Sequence, residues 1–194
     1  MRADNYSGQS KRSMGKTVLY WVIEIAVAVV IALLIIQVIR PTVVRETSML
    51  PNFHDGDYLF VYRLAYKGDK TPQKGDVIIF KSNLTTDSGK PKMLIKRVIG
   101  LPGDKITIEG GKVWINGKED SQSYTHDKET NGAIVNYTVP KNHYYCMGDN
   151  RLVSIDSRYA SVGAIDKSKI VGKVVFRLYP FSKIGTIHNP YQSN

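Results

Sequence analysis

The chain has 194 residues, of which 42% are hydrophobic, and this is enough for one folded domain with its own core plus an anchor segment. Its formal net charge of +10 is typical of proteins that bind nucleic acid or an anionic membrane surface. No zinc-finger spacing, helix-turn-helix pattern or aromatic RNA-binding signature accompanies the charge. We therefore expect no nucleic-acid partner and favour the membrane lipid surface.

The first 40 residues predict a tail and an uncleaved membrane anchor. Residues 18–39 are almost entirely apolar and, at about 1.5 Å per residue, extend roughly 33 Å, which is long enough to cross a bilayer core. The stretch is too long for the apolar region of a removable signal peptide, and no small-residue cleavage site follows it. Residues 1–17 carry four basic side chains against one acidic side chain. The positive-inside rule then predicts a single-pass protein of the cell membrane, with a cytoplasmic tail at 1–17 and an extracytoplasmic domain at 40–194.

The sequence after residue 40 predicts a mostly β domain, of the barrel or sandwich class. Short β-rich runs recur between turn signals, at 58–62, 76–80, 93–99, 133–139, 143–147 and 170–178. Residues 106–109 and 112–115 flank Gly110 and Gly111, which is a strong hairpin signal. The polar residues 118–132 predict an exposed loop, so we expect a hairpin and loop extension at about 106–142.

Two segments of this domain carry residues suited to hydrolysis. Ser48 lies in the string TSMLP at 47–51, and Lys96 lies in the apolar string LIKRVIG at 94–100. A serine hydroxyl is a useful nucleophile only when a base within hydrogen-bonding reach takes its proton. A lysine in water titrates near pH 10.4, and burial lowers that pKa, so Lys96 can serve as the base. Each residue alone also has an ordinary reading, as a solvated loop serine and as a lysine that extends to the surface.

The ordered motifs of the chain resemble those of the type I signal peptidases, the membrane-anchored Ser/Lys endopeptidases of bacteria. The resemblance covers nearly everything after residue 17 and rests on the anchor, SMLP at 48–51, GDV at 75–77, KRVIGLPGD at 96–104 and GDNRLVSIDSR at 148–158. It is strongest to the short, single-anchor enzymes of Gram-positive bacteria. The endoplasmic-reticulum relatives carry histidine at the position of Lys96, so the chain has the bacterial form.

The resemblance implies a fold, a reaction and a substrate. The fold is an N-terminal transmembrane helix followed by an all-β, barrel- or sandwich-like catalytic domain. The reaction is removal of signal peptides from exported preproteins by a serine endopeptidase, with cleavage after small residues at the first and third positions before the cut. An extended signal-peptide end would add a strand along the edges that flank Ser48 and Lys96.

The resemblance also implies roles for individual residues. Ser48 matches the nucleophile, Lys96 the general base, and Ser154 a serine that orients the lysine amine. Residues that match the bracing of this site are Asp149, Asn150, Arg151, Asp156 and Arg158. Residues that match the lining of the shallow apolar substrate pockets are Val44, Met49, Phe53, Leu94 and Ile95.

Glu46 departs from the family pattern, because some members have at this position a serine whose hydroxyl donates to the oxyanion. An ionised carboxylate only accepts hydrogen bonds and would repel an oxyanion. We therefore expect Glu46 to point to solvent. The backbone N–H of Ser48 is then the first oxyanion donor, and the second donor stays unassigned.

We expect no cofactor and no metal ion. The four histidines lack the spacing of metal ligands, and Cys146, the one cysteine, reads as a small buried apolar side chain and not as a catalytic thiol. The sequence predicts no particular oligomeric state.

Two other functions remain open at this point. One is an inactive relative, a membrane-tethered β domain that binds exported chains without cutting them. The intact set of Ser48, Lys96 and Ser154 argues against it. The other is a self-cleaving Ser/Lys protein similar to the stress-response repressors, whose DNA-binding domain is replaced here by the apolar residues 18–39.

Overall fold

The computed structural model describes residues 14–192, and its N-terminal element is one long α-helix, α1 (Met14–Val38). The helix is long and apolar enough to cross a membrane, and none of its side chains is buried against protein. The segment predicted as an anchor at 18–39 is therefore helical, with the helix beginning at Met14 and ending at Val38. The predicted tail falls mostly on residues 1–13, which lie outside the described residues.

The chain divides into two compact units, one ending at Gln37 and one beginning at Val38. The second unit is built from antiparallel strands, which confirms the mostly β class. In chain order these strands are β1 (Ile39–Val43), β2 (Tyr58–Tyr62), β3 (Val77–Thr85), β4 (Pro91–Gly100), β5 (Lys105–Glu109), β6 (Lys112–Ile115), β7 (Lys118–Glu119), β8 (Ile134–Thr138), β9 (His143–Met147), β10 (Ile165–Asp166), β11 (Ile170–Tyr179) and β12 (Gly185–Thr186). Two short 3₁₀ turns, Lys167–Lys169 and Phe181–Lys183, flank β11.

The strands form a larger and a smaller sheet. The larger sheet has the order β1-β2-β11-β3-β4-β9-β10, with β12 on β11, and the smaller sheet has the order β7-β6-β5-β8. The hairpin predicted at Gly110 and Gly111 joins β5 to β6. Both glycines have positive φ, of 55° and 77°, which a two-residue turn of this hand requires and which glycine adopts without strain.

The hydrophobic core consists of three clusters that lie along the sheets. One contains Val44, Met49 and Phe53, which come from the segment around Ser48, together with Leu59, Val61, Val77, Ile79 and Val174 from the strands. A second cluster lies on the opposite face of β3, where Ile78 and Phe80 alternate with Val77 and Ile79 of the first, and the third holds the smaller sheet against β9. The first cluster fixes the segment after β1 against the larger sheet and so determines where Ser48 lies.

One sequence prediction about the domain was wrong in part. Lys118 and Glu119 form β7, and the rest of the segment 118–132 is a loop. Asp120, Gln122 and Thr130 of this loop are buried, not exposed as predicted. Their polar groups are buried because they supply hydrogen-bond partners to other buried polar side chains, and composition alone does not reveal such pairing.

Candidate active site

Ser48 lies in a tight turn after β1, and Lys96 lies on β4. The Lys96 Nζ donates to the Ser48 Oγ at 2.6 Å, although the two residues are 48 positions apart in the chain. Ser48 is 8% exposed and Lys96 is 1% exposed. The structure therefore brings together the two residues that the sequence singled out for hydrolysis, at hydrogen-bonding distance and away from bulk water.

Burial is the main cause of the lowered pKa of Lys96. Loss of water around the amine lowers the pKa of Lys96 from 10.5 to about 8, and the like charge of Lys92 acts in the same direction. The carboxylates of Asp156, Glu46 and Asp149 oppose this decrease. A lysine with that pKa is partly neutral near physiological pH, and a neutral amine 2.6 Å from a hydroxyl can accept its proton.

Gly148 permits the close approach of the segment after β9 to Ser48 and Lys96, the candidate Ser/Lys dyad. A Cβ at Gly148 would lie 2.2 Å from the Ser154 Oγ and 2.5 Å from the Ser48 carbonyl oxygen. The Ser154 Oγ is buried and makes no hydrogen bond to another group among the described residues. Ser154 is thus next to the dyad, as the resemblance implies, but no hydrogen bond from it to the Lys96 amine is present.

Asn150 connects the turn that carries Ser48 to the segment after β9. The Asn150 backbone N–H donates to the Ser48 carbonyl at 3.0 Å, and its side-chain amide donates to the Thr47 carbonyl at 3.1 Å. Two successive carbonyls of the turn are therefore held by one residue, which fixes the backbone around the Ser48 hydroxyl.

Asp149 is held by a buried arginine that the sequence reading had not assigned to the site. Arg97 pairs with it through two hydrogen bonds, from Nε at 2.9 Å and from Nη2 at 2.7 Å, and both side chains are almost fully buried. The register explains the contact, because Arg97 is paired with Met147 across β4 and β9, and Asp149 follows two residues later. Asn52, four residues after Ser48, also donates to the Asp149 carboxylate at 2.9 Å.

Asp156 and Arg158 form a second buried bidentate pair. The arginine donates from Nε at 2.8 Å and from Nη2 at 2.9 Å, and the Asp156 carboxylate also accepts from the Gly148 backbone N–H at 2.9 Å. This arrangement fixes the backbone of Gly148 directly beside the dyad. Bidentate guanidinium–carboxylate pairs of this kind are directional as well as strong, so they fix the relative positions of the two side chains.

Arg151 holds the loop after β7 with the two terminal nitrogens of its guanidinium, while its Nε donates to the Gly148 carbonyl at 3.1 Å. It donates to Gln122 Oε1 at 2.7 Å, to Thr130 Oγ1 at 2.9 Å and to the Tyr124 hydroxyl at 3.1 Å. These three partners are the reason why the loop is partly buried. Sequence reasoning missed these contacts, because the sequence places Arg151 in a matched motif but does not show that it is buried or which acceptors it meets.

A cleft of about 170 Å³ opens beside the dyad and is lined by Ser48 and Lys96 together with Val44, Ile79, Leu94 and Ile95. Three of the five residues matched to the substrate pockets therefore line it. Met49 and Phe53 do not, because both are buried in the core beneath the turn, at 1% exposure. Two larger cavities, of about 300 and 340 Å³, contain neither member of the dyad.

Strand edges border this cleft on two sides. β4 pairs with β3 from Pro91 to Arg97 but with β9 only from Arg97 onward, so residues 91–96 have no strand on that side within residues 14–192. β1 is the terminal strand of the larger sheet and pairs only with β2 among the described strands. The backbone groups at these edges are available to an extended peptide.

Glu46 lies at the rim of the cleft with its carboxylate half exposed, which agrees with the expectation that it points to solvent. Its Oε1 accepts a hydrogen bond from Lys92 Nζ at 2.5 Å. Lys92 was not expected at this position from the sequence.

Comparison with known proteins gives one consistent result. The family model described as "Signal peptidase, peptidase S26" matches residues 18–179. The chain is 35% identical to signal peptidase IB of Staphylococcus aureus (strain COL), over 91% of this chain and 97% of that one. It is 39% identical to signal peptidase I of Bacillus licheniformis, over 84% of this chain and 90% of that one. The crystal structure of a signal peptidase I from Enterococcus faecalis V583 covers 55% of this chain and 98% of its own, at 29% identity and a TM-score of 0.40.

Proposed function

This chain belongs to the signal peptidase family S26, and on that premise we propose that it is a membrane-anchored serine endopeptidase that removes signal peptides from exported preproteins with a Ser48/Lys96 dyad. The observation that carries the proposal is the distance of 2.6 Å between Lys96 Nζ and Ser48 Oγ, with the amine 1% exposed. Membership of the family makes the chain a serine peptidase, and the dyad assigns the chemistry to two of its residues.

In the proposed mechanism the neutral Lys96 amine takes the proton of the Ser48 hydroxyl as Oγ attacks the carbonyl carbon of the scissile peptide bond. The tetrahedral intermediate collapses when the resulting ammonium gives that proton to the leaving nitrogen. An acyl-enzyme on Ser48 remains, with the signal peptide attached. Water then attacks this ester, again with Lys96 as the base, and releases the signal peptide and Ser48.

The oxyanion of both tetrahedral intermediates needs donors. The Ser48 backbone N–H is the first, and the hydrogen bonds of Asn150 to the Ser48 and Thr47 carbonyls support its orientation. Asp149, Arg151, Asp156 and Arg158 act as positioning residues in this proposal, because they hold the segment after β9 against the dyad. Ser154 lies beside this site with its hydroxyl buried, and its Oγ can accept a hydrogen bond from an N–H of the neutral amine, which leaves the amine lone pair free for the Ser48 proton.

The substrate proposal follows from the cleft. An extended chain that pairs with the free edges of β1 and β4 would place alternate side chains toward Val44, Leu94 and Ile95. The cleft is small and apolar there, which suits the small residues that we propose at the first and third positions before the cut. In the proposed topology α1 spans the cell membrane, the tail is cytoplasmic, and the β domain works at the outer lipid surface.

A cleavage assay tests the proposal. Detergent-purified full-length protein is mixed with a preprotein, and the products are identified by mass spectrometry. Ser48→Ala and Lys96→Ala should each abolish cleavage while the far-UV circular dichroism stays unchanged. Ser88→Ala and Lys90→Ala are matched controls in the exposed turn before β4 and should cleave normally. Near-wild-type cleavage by either dyad variant would contradict the assignment.

The same assay separates the enzyme from the non-cutting binder. If the wild type retains the preprotein in a pull-down but yields no cleaved product, the domain is a binder. We favour the enzyme because the base is buried and in contact with the nucleophile, a costly arrangement for a lysine that has no partner charge within hydrogen-bonding distance among residues 14–192.

A further inference from the structure

One ion pair at the rim of the cleft has no role in the mechanism above. Lys92 Nζ donates to Glu46 Oε1 at 2.5 Å, and the side chains are 40% and 49% exposed, respectively. An exposed pair of this kind contributes little to folding. Its position is informative, because Glu46 is two residues before Ser48 and Lys92 is four residues before Lys96. The pair therefore joins the segment that carries the nucleophile to the strand that carries the base.

The backbone of Glu46 is held in an unusual conformation. Its φ is 80°, in the left-handed region that residues with a Cβ seldom adopt. Two contacts hold it there, since the Glu46 N–H donates to the Asp55 Oδ1 at 3.1 Å and the carboxylate accepts from Lys92. Asp55 fixes the backbone end of the residue and Lys92 fixes the charged end.

The charged end needs such a restraint, because it lies close to the chemistry. Two residues of chain extend at most about 7 Å, so a released Glu46 side chain can turn toward the space beside Ser48. A carboxylate there would repel the negative oxygen of the tetrahedral intermediate.

We propose that Lys92 is a positioning residue that holds the Glu46 carboxylate away from Ser48, and that cleavage slows when this restraint is lost. The inference rests on the proposed function, because it assumes that Ser48 forms the tetrahedral intermediate. It assigns Lys92 a purpose that is particular to a chain with a glutamate two residues before the nucleophile.

The charges that face Lys96 give the proposal a second readout. Asp156 and Asp149 come from the segment after β9, Glu46 from the turn before Ser48, and Lys92 from β4 itself. The three carboxylates favour the charged amine and Lys92 opposes it. Removal of Lys92 therefore raises the pKa of Lys96, and removal of Glu46 lowers it.

A double-mutant cycle tests the proposal with full-length protein and a purified preprotein. The turnover number kcat is measured for the wild type, Lys92→Met, Glu46→Gln and the double variant, at a pH high enough that Lys96 is neutral in all four. We expect Lys92→Met to lower kcat about tenfold with KM within about twofold of the wild type. Glu46→Gln in the Lys92→Met background should restore most of that loss, while Glu46→Gln alone should change kcat by less than about twofold.

Further variants and pH profiles complete the test. Lys92→Arg keeps the charge and the reach and should retain kcat, and Lys90→Met, an exposed lysine two residues away, should behave like the wild type. The acidic limb of the pH profile should move to higher pH in Lys92→Met and return in the double variant.

Three results would overturn the inference. The first is additive effects, in which Glu46→Gln changes kcat equally with and without Lys92. The second is a rise in KM at constant kcat, which would make Lys92 a substrate contact. Both leave the proposed function intact, since the wild type still cleaves and Ser48→Ala does not. A wild type that does not cleave would overturn the proposed function and this inference together.

Discussion

The pKa of Lys96 predicts the pH dependence of cleavage. At pH 7 a lysine with a pKa of about 8 is neutral in about one molecule in ten, whereas a pKa of 10.5 leaves about one in three thousand neutral. The fraction of active enzyme is therefore roughly 300-fold larger than for a solvated lysine. We expect kcat/KM to rise tenfold per pH unit below about pH 8 and to level off above it.

The same decrease in pKa has a cost in stability. The amine titrates near pH 10.5 in the unfolded chain and near 8 in the folded one, so the unfolded chain binds more protons between these values. The free energy of unfolding should consequently rise with pH from about 8 to 10.5. At 1.36 kcal/mol per pKa unit the contribution is about 3 kcal/mol, and below pH 8 this cost is present in full. Lys96→Met should remove it and stabilise the folded protein at neutral pH while abolishing cleavage.

Two measurements check this account. A profile of kcat/KM from pH 6 to 10 locates the pH below which the rate falls. Urea unfolding of the wild type and Lys96→Met at pH 7 and pH 10 measures the effect of Lys96 on the free energy of unfolding. Cys146→Ala is the control. Burial raises the pKa of the Cys146 thiol, so this thiol should not titrate near pH 8 and its removal should leave the pH profile unchanged. A rate that is flat between pH 6 and 9, or a limb that moves in Cys146→Ala, would refute the reasoning.

Three further predictions concern the surroundings of the dyad and the topology. Gly148→Ala places a methyl group 2.2 Å from the Ser154 Oγ and 2.5 Å from the Ser48 carbonyl, so kcat should fall at least a hundredfold; a loss below threefold would contradict the packing. Arg97→Met leaves the buried Asp149 carboxylate without its partner and should destabilise the protein by about 3–5 kcal/mol in urea unfolding, whereas a change below about 1 kcal/mol would show that water reaches the site. Protease added to intact protoplasts should cut after about residue 45 and spare the tail, and protection of the β domain would reverse the proposed orientation.

The parts of the molecule that follow from local pattern could be predicted from the sequence. The strands at 58–62 and 143–147 have the predicted bounds, because short runs of apolar and aromatic side chains between turns define them locally. The apolar neighbours of Lys96 indicated its burial in the same way. The family resemblance inferred from ordered motifs is confirmed by the match over residues 18–179.

The parts that depend on register between distant segments could not be predicted. Arg97 faces Asp149 only because β4 and β9 pair with Arg97 opposite Met147, and that alignment is not visible in either string alone. β1 was missed for a different reason: it directly follows the apolar helix and contains Pro41, which a terminal strand tolerates because its outer side needs no ladder hydrogen bond.

The place of β11 in the larger sheet determines when the enzyme can first act. β11 (Ile170–Tyr179) lies between β2 and β3, although both of its neighbours are made about a hundred residues earlier on the ribosome. A nascent chain that has not yet released this strand leaves β2 and β3 unpaired along facing edges, so the dyad has no rigid sheet behind it. We therefore expect Ser48, which follows the helix closely in the sequence, to become reactive only after β11 has been made, and a copy that ends before β11 to be inert toward the chains beside it.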